Sequence, residues 1–269
     1  MKSNLKMLAA CLATSTILFS CQKDNKVPPT PSIPQSVISQ IQAAGYSTDE
    51  IRPADGGYVV EGDIFLSNDA IAHPNLGPDL RVAQAEQYHT TNLITGLPRN
   101  ITVSISGLAT VFVKATDSAI ARYNAMGLRI TFSRVASGGE IQIIGVDLGN
   151  TGILGQSSGF PTNGNPASPI KLNNHAGAFG SNPNVQWVAT VIAHEMGHTI
   201  GFRHTDYHNR AYSCGGAKSN EGSAGVGAIW IPGTPTGPKD PKSWMLACTD
   251  GSNRPFNAND KIALNYLYH

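Results

Sequence analysis

His194-Glu195-Met196-Gly197-His198-Thr199-Ile200-Gly201-Phe202-Arg203-His204-Thr205-Asp206 is the stretch that governs how this 269-residue chain is read. Two imidazoles four residues apart share one face of a helix, where adjacent turns bring both rings within reach of a single ion. Glu195 lies roughly 100° around the helix from His194. Its carboxylate can therefore approach water at the metal without taking a ligand position, which is the placement of a general base. Gly201 can adopt a positive φ and turn the chain back, so His204 arrives as a third nitrogen and a coordination position is left open, as in catalytic zinc sites. With 28 glycines and 8 histidines in 269 residues, finding both at these offsets is about a three-in-a-thousand coincidence. Asp206 either orients a ligand histidine through its second nitrogen, anchors the turn after His204, or faces solvent beside Arg203 or Arg210.

Outward from this motif the apolar spacing alternates between strand and helix periods. Helical spacing at Val185, Val188 and Ile192 opens behind Asn182-Pro183-Asn184, a capping signature. Ile101, Val103 and Ile105 alternate as in a half-buried strand, and the spacing from Leu108 to about Met126 predicts a helix stopped by Gly127. Leu128 to Val135 and Ile141 to Val146 read as strands, with shorter extended pieces at Gly152 to Gln156 and Ile170 to Leu172. The last segment, Phe256 to His269, has Asn257 placed to cap a helix and Asp260 three residues on. Near the other end, Val37, Ile38, Ile41 and Ala44 mark a short helix that Gly45 can close, followed by extended Tyr58 to Val60. That region is too small for a domain, and reads as a prosegment or an element packed on the body.

The N-terminus reads as an address. Lys2 and Lys6 precede an apolar run from Met7 to Phe19 that is too short for a permanent bilayer span, as in a secretory signal. Leu18-Phe19-Ser20-Cys21 resembles the lipobox of bacterial lipoproteins, which implies cleavage before Cys21 and a lipid on its thiol. The alternative is ordinary signal cleavage beside an incidental cysteine. Pro28, Pro29, Pro31 and Pro34 make a stiff spacer. The chain therefore divides into a signal (1–20), a lipid-attachment cysteine and tether (21–36), a prosegment or N-terminal extension (37–84) and a catalytic domain (85–269). The expected location is exported, as an outer-membrane or cell-surface lipoprotein, with the periplasmic face still open.

Composition narrows the partners. Net charge is +1 with acids and bases interspersed, which gives no footprint for a phosphate backbone, so nucleic acid is not an expected partner. Cys11 leaves with the signal and Cys21 carries lipid, leaving Cys214 and Cys248 in an oxidising setting, where they are expected to pair. Two buried, unpaired thiols are the alternative.

HEMGHTIGFRHTD, His194 to Asp206, resembles the metzincin clan of zinc peptidases and looks most like the dual-action HEIGH metallopeptidases, with Met196 where that name has isoleucine. The resemblance implies an α+β fold over about residues 85–269: a twisted, mostly parallel mixed sheet with the active-site helix in an upper subdomain, and an irregular lower subdomain ending in a helix. It implies one zinc ion on His194, His198 and His204, Glu195 as general base, and a protein or peptide substrate laid along an antiparallel edge strand at Gly152 to Gln156. It also implies a methionine turn, assigned to Met245 in Ser243-Trp244-Met245, 41 residues beyond His204. Thr205 follows the third histidine where astacins have glutamate and adamalysins aspartate, and Ala247 stands where a tyrosine ligand would be, so no tyrosine switch is expected.

Val60-Glu61-Gly62-Asp63 resembles the FxGD element of astacin prosegments, whose aspartate occupies the zinc of the latent enzyme; valine replaces phenylalanine here. A strand followed by a Gly-Asp turn explains the same letters. His175 and His208 read as surface or cleft-rim residues, and Trp230 and Trp244 as pocket walls or as packing under loops. The leading function is a lipid-anchored zinc endopeptidase. Its rivals are a surface-binding lipoprotein with a structural or vestigial zinc site, and a hydrolase of cell-wall or other amides.

Overall fold

A computed structural model describes residues 32–73, 87–222, 226–236 and 240–269. The expected signal, the expected lipid-bearing Cys21 and most of the expected tether lie outside the described residues. Among the described residues no helix is long and apolar enough to cross a membrane.

The chain opens with α1 (Gln35–Ala43), which ends where Gly45 takes φ 89°. Three short strands follow, β1 (Arg52–Ala54), β2 (Gly57–Val60) and β3 (Ile64–Ser67), then the single-turn helix α2 (Asn68–Ala72), capped by the Ser67 hydroxyl. Ile41, Tyr46, Val60, Ile64, Leu66 and Ile71 bury against one another and against Phe160 and Val226 of the body. This region thus carries a small core largely its own.

The body begins with β4 (Tyr88–His89) and β5 (Arg99–Ser106), whose Ile101 and Val103 are fully buried. Helix α3 (Thr110–Asn124) links β5 to β6 (Ile130–Arg134), the kind of crossover that parallel neighbours require. β7 (Ile141–Val146), β8 (Gly155–Ser157) and β9 (Ile170–Asn173) complete the main sheet, in the order β1-β2-β3-β8-β9-β7-β5-β6. β9, β7, β5 and β6 run parallel to one another, and β8 runs antiparallel to β9. This is the expected mixed sheet with its antiparallel border strand, now extended by the N-terminal hairpin. β8 starts three residues later than its sequence reading because Asn173 draws the preceding loop in, donating from Nδ2 to the Gly149 and Ile153 carbonyls.

Helix α4 (Val185–Thr199) is buried on every side from Val188 onward, as befits a helix without a polar face. The Asn184 side chain accepts from the Gln186 and Trp187 amides and caps its start. Tyr123 Oη of α3 donates to the Ala193 carbonyl at 2.8 Å, locking the two helices together one residue before His194. The chain then forms α5 (Ala211–Cys214), β10 (Ile229–Trp230), which pairs with β4 as a two-stranded sheet, and α6 (Ala258–Tyr268). α6 starts with a complete capping box between Asn257 and Asp260. The Cys214–Cys248 disulfide ties α5 to the segment just after Met245.

Candidate metal centre and cleft

Helix α4 ends where Ile200 leaves helical geometry and Gly201 takes φ 108°. A Cβ at Gly201 would also lie 2.7 Å from Leu93 and 2.9 Å from the Asn92 carbonyl, so the reversal admits only glycine. It carries His204 back beneath the helix. His198 Nε2 then lies 3.1 Å from His194 Nε2 and 3.2 Å from His204 Nε2.

Each of these rings is fixed through its other nitrogen. His194 Nδ1 meets the Trp244 carbonyl at 2.9 Å, His198 Nδ1 the Phe202 carbonyl at 2.9 Å, and His204 Nδ1 the Glu221 carboxylate at 2.5 Å. An acceptor at every Nδ1 places the proton there and turns three Nε2 lone pairs toward one point. Three lone pairs about 3 Å apart repel one another unless a cation sits among them, and zinc–nitrogen bonds of about 2.0–2.1 Å in a tetrahedron put neighbouring ligands about 3.3 Å apart. The donor set therefore fits zinc. Burial pushes His198 down to about 4, so it is held as the neutral, ligating form.

A fourth donor comes from far away in sequence. Asp63 Oδ2 lies 3.2 Å from both His194 Nε2 and His204 Nε2 and 3.8 Å from His198 Nε2. All four ligand atoms fall within 4.8 Å of one another, and all four residues are buried. Against the cost of burial, the close imidazoles, His204 foremost, hold Asp63 well below the usual carboxylate range. The turn that delivers it has Glu61 at φ 52° and Gly62 at φ 92°. The strand, the turn and the approach of the carboxylate to the three imidazoles are thus features of one segment.

Glu195 is 2% exposed and points into the cleft beside this cluster. Its Oε2 has no hydrogen-bond partner. A Cβ at Gly155 would come within 2.5 Å of Oε1, so the glycine of β8 makes room for the carboxylate. Burial, and then the charge of Asp63, push Glu195 well above the usual carboxylate range; a divalent cation among the Nε2 atoms would favour its charged form instead.

Met245 is fully buried, and a Cβ on Gly197 would come within 2.5 Å of its Sδ. The same turn accepts the His194 proton at Trp244 and takes the Thr205 amide at the Met245 carbonyl, 2.7 Å away. Asp206 does not reach a ligand histidine, nor does it pair with Arg203 or Arg210. It accepts from Ser213 Oγ at 2.6 Å and from the Ala247 amide at 2.9 Å, which anchors the turn after His204. The carboxylate behind a ligand is Glu221, which spacing gave no reason to choose. Glu221→Gln is expected to weaken zinc binding about tenfold or more, read by competition with a chromophoric chelator; unchanged affinity would show that the contact does not support His204.

His175 pairs with Asp147 at the surface. Trp230 packs with Tyr88, Tyr207 and Ala228, whereas Trp244 is buried and lines the cleft. The cleft has a volume of about 630 Å³ and is lined by Arg52, Gly62, Asp63, His194, Glu195 and Leu246 among others.

The sequence pattern of the dual-action HEIGH metallopeptidases matches residues 58–268, from β2 to the end of α6. The chain belongs to this metallopeptidase family. The match takes in the β2–β3 hairpin and Asp63 together with the histidine motif. Among solved structures, myroilysin is similar at 16% identity and TM-score 0.44 over 66% of this chain and 96% of that one. A second myroilysin crystal structure gives 17% and 0.41 over 71% and 90%. A hatching enzyme zinc-protease from the medaka fish Oryzias latipes gives 14% and 0.36 over 72% and 98%. No curated protein matches.

Proposed function

We propose that this metallopeptidase is an exported, lipid-anchored zinc endopeptidase held latent by residues 37–84. The observation that carries the reading is the convergence of three Nε2 atoms, each with its Nδ1 on an acceptor, on the Asp63 carboxylate. His194, His198 and His204 would hold the zinc ion, which when bound would supply a Lewis acid for a scissile carbonyl and lower the pKa of water to about 7. Glu195, whose carboxylate faces the cleft, would take a proton from the attacking water and hand it to the leaving amine. Gly155 leaves space for this carboxylate, and the dry surroundings strengthen its interaction with the developing charge.

The border of the sheet supports the latency reading. β3 lies along β8 through a single register pair, Ile64 with Ser157, whereas β2 and β3 share four. The Ser157 amide donates to the Asp63 carbonyl at 2.9 Å, a main-chain bond of the sort a substrate strand would use. Removing the hairpin makes β8 the free border and uncovers the centre. The signal and Cys21 support export and membrane attachment of the body.

The test is metal analysis with a protein-substrate assay, before and after a single cut near residue 84, with and without chelator. About one zinc per chain is expected, with hydrolysis that rises on cutting, stops on chelation and returns with zinc. A chain that holds zinc and cleaves no protein in either state would overturn the reading in favour of a binding module.

A further inference from the structure

Two residues before Asp63, the same turn drives a second carboxylate into the body. Glu61 is 2% exposed, and both its oxygens lie 2.7 Å from Arg203 Nη2. Arg203 is equally buried and held from behind: Nη1 donates to the Gly222 carbonyl at 2.8 Å and to the Gly227 carbonyl at 3.2 Å. Its guanidinium lies 4.8 Å from the Tyr207 ring centre and 5.9 Å from that of Phe160. Two backbone acceptors on Nη1 and two ring faces thus fix the guanidinium so that Nη2 alone meets both carboxylate oxygens. This guanidinium adjoins the candidate metal centre, since the next residue is His204.

The charges around it are uneven once the hairpin is taken away. Glu221 is engaged by His204 Nδ1 and lies 3.4 Å from Arg210 Nε and 3.6 Å from Arg203 Nη2. Glu61 and Glu50, the other carboxylates near these arginines, both belong to the departing segment; Glu50 is 3.7 Å from Arg210. Two guanidiniums would then face one carboxylate that already serves a histidine. A desolvated guanidinium in that position favours an anionic ligand.

We propose that Arg203 forms a carboxylate subsite of the peptidase, filled by Glu61 in the latent chain and by an acidic side chain of the substrate after the hairpin leaves. Two residues of extended chain span about 7 Å, so the subsite serves a position within about two residues of the scissile bond. The inference rests on the proposed latency, that is, on the β2–β3 hairpin vacating the cleft.

The test uses the zinc-loaded full chain carrying one specific protease site near residue 84, assayed before and after cutting, with peptide pairs differing only by Glu or Gln at each position around the bond. The processed wild type is expected to favour Glu at one position by about tenfold or more in kcat/KM, and Arg203→Lys to remove most of that preference. A second readout needs no catalysis: after cutting, the N-terminal fragment is expected to stay with the body on gel filtration in the wild type and to dissociate at least about tenfold more readily in Glu61→Gln. A cut chain no more active than the uncut one overturns the latency reading. A chain activated by cutting, yet indifferent to Glu and Gln at every position, overturns the subsite alone.

Discussion

Glu195→Gln keeps zinc and loses hydrolysis by a factor of about 10² to 10⁴, the range that a positioned acid–base group contributes. The amide has the shape of the carboxylate, so the space beside Gly155 stays filled and the helix is undisturbed. What it lacks is a site to take a proton. Since Glu195 is not among the atoms that gather around the Nε2 lone pairs, metal content is expected to match the parent. Metal content and turnover measured together therefore separate a lost base from a damaged site. A variant with parental turnover would remove Glu195 from the role.

Asp63→Ala, assayed in the uncut chain, raises activity by about tenfold or more, because the position opposite the three imidazoles becomes open to water. The substitution is mild elsewhere. The small core of Ile41, Val60, Ile64 and Leu66 and the Glu61–Arg203 pair remain, so the hairpin stays on the body. It is for this reason that the gain is expected to fall short of that from cutting, which also frees β8. If uncut Asp63→Ala is no more active than the uncut parent while the cut parent is active, then Asp63 is not what silences the chain.

Much of the fold could be read from short stretches. Helix α4 and its Asn184 cap, the Asn257–Asp260 capping box of α6 and the strand pattern of β5 to β7 all depend on neighbours within about one helical turn or one strand. The N-terminal region was harder to read. Tyr58 to Val60 was legible as a strand, but nothing in its letters says that β3 would lie along β8, since a three-residue strand has little register of its own. Asp206 had three open roles, and only the approach of Ser213 and Ala247 selected one of them. Glu221 had no signal at all, because it reaches His204 from a loop seventeen residues away.

From the order of residues alone came the pairing of His194 with His198, the reversal at Gly201 and the nature of the donors. Helical rise and the conformational freedom of glycine act over a few residues, so these properties travel with the local sequence. Tertiary structure decided which groups face those imidazoles: Trp244 and Glu221 behind them, Asp63 before them, and Arg203 waiting for Glu61. Asp63 stands 131 residues from His194. Contact across that distance is set by how the hairpin closes on the body and by what the interior must neutralise, and no local period encodes either.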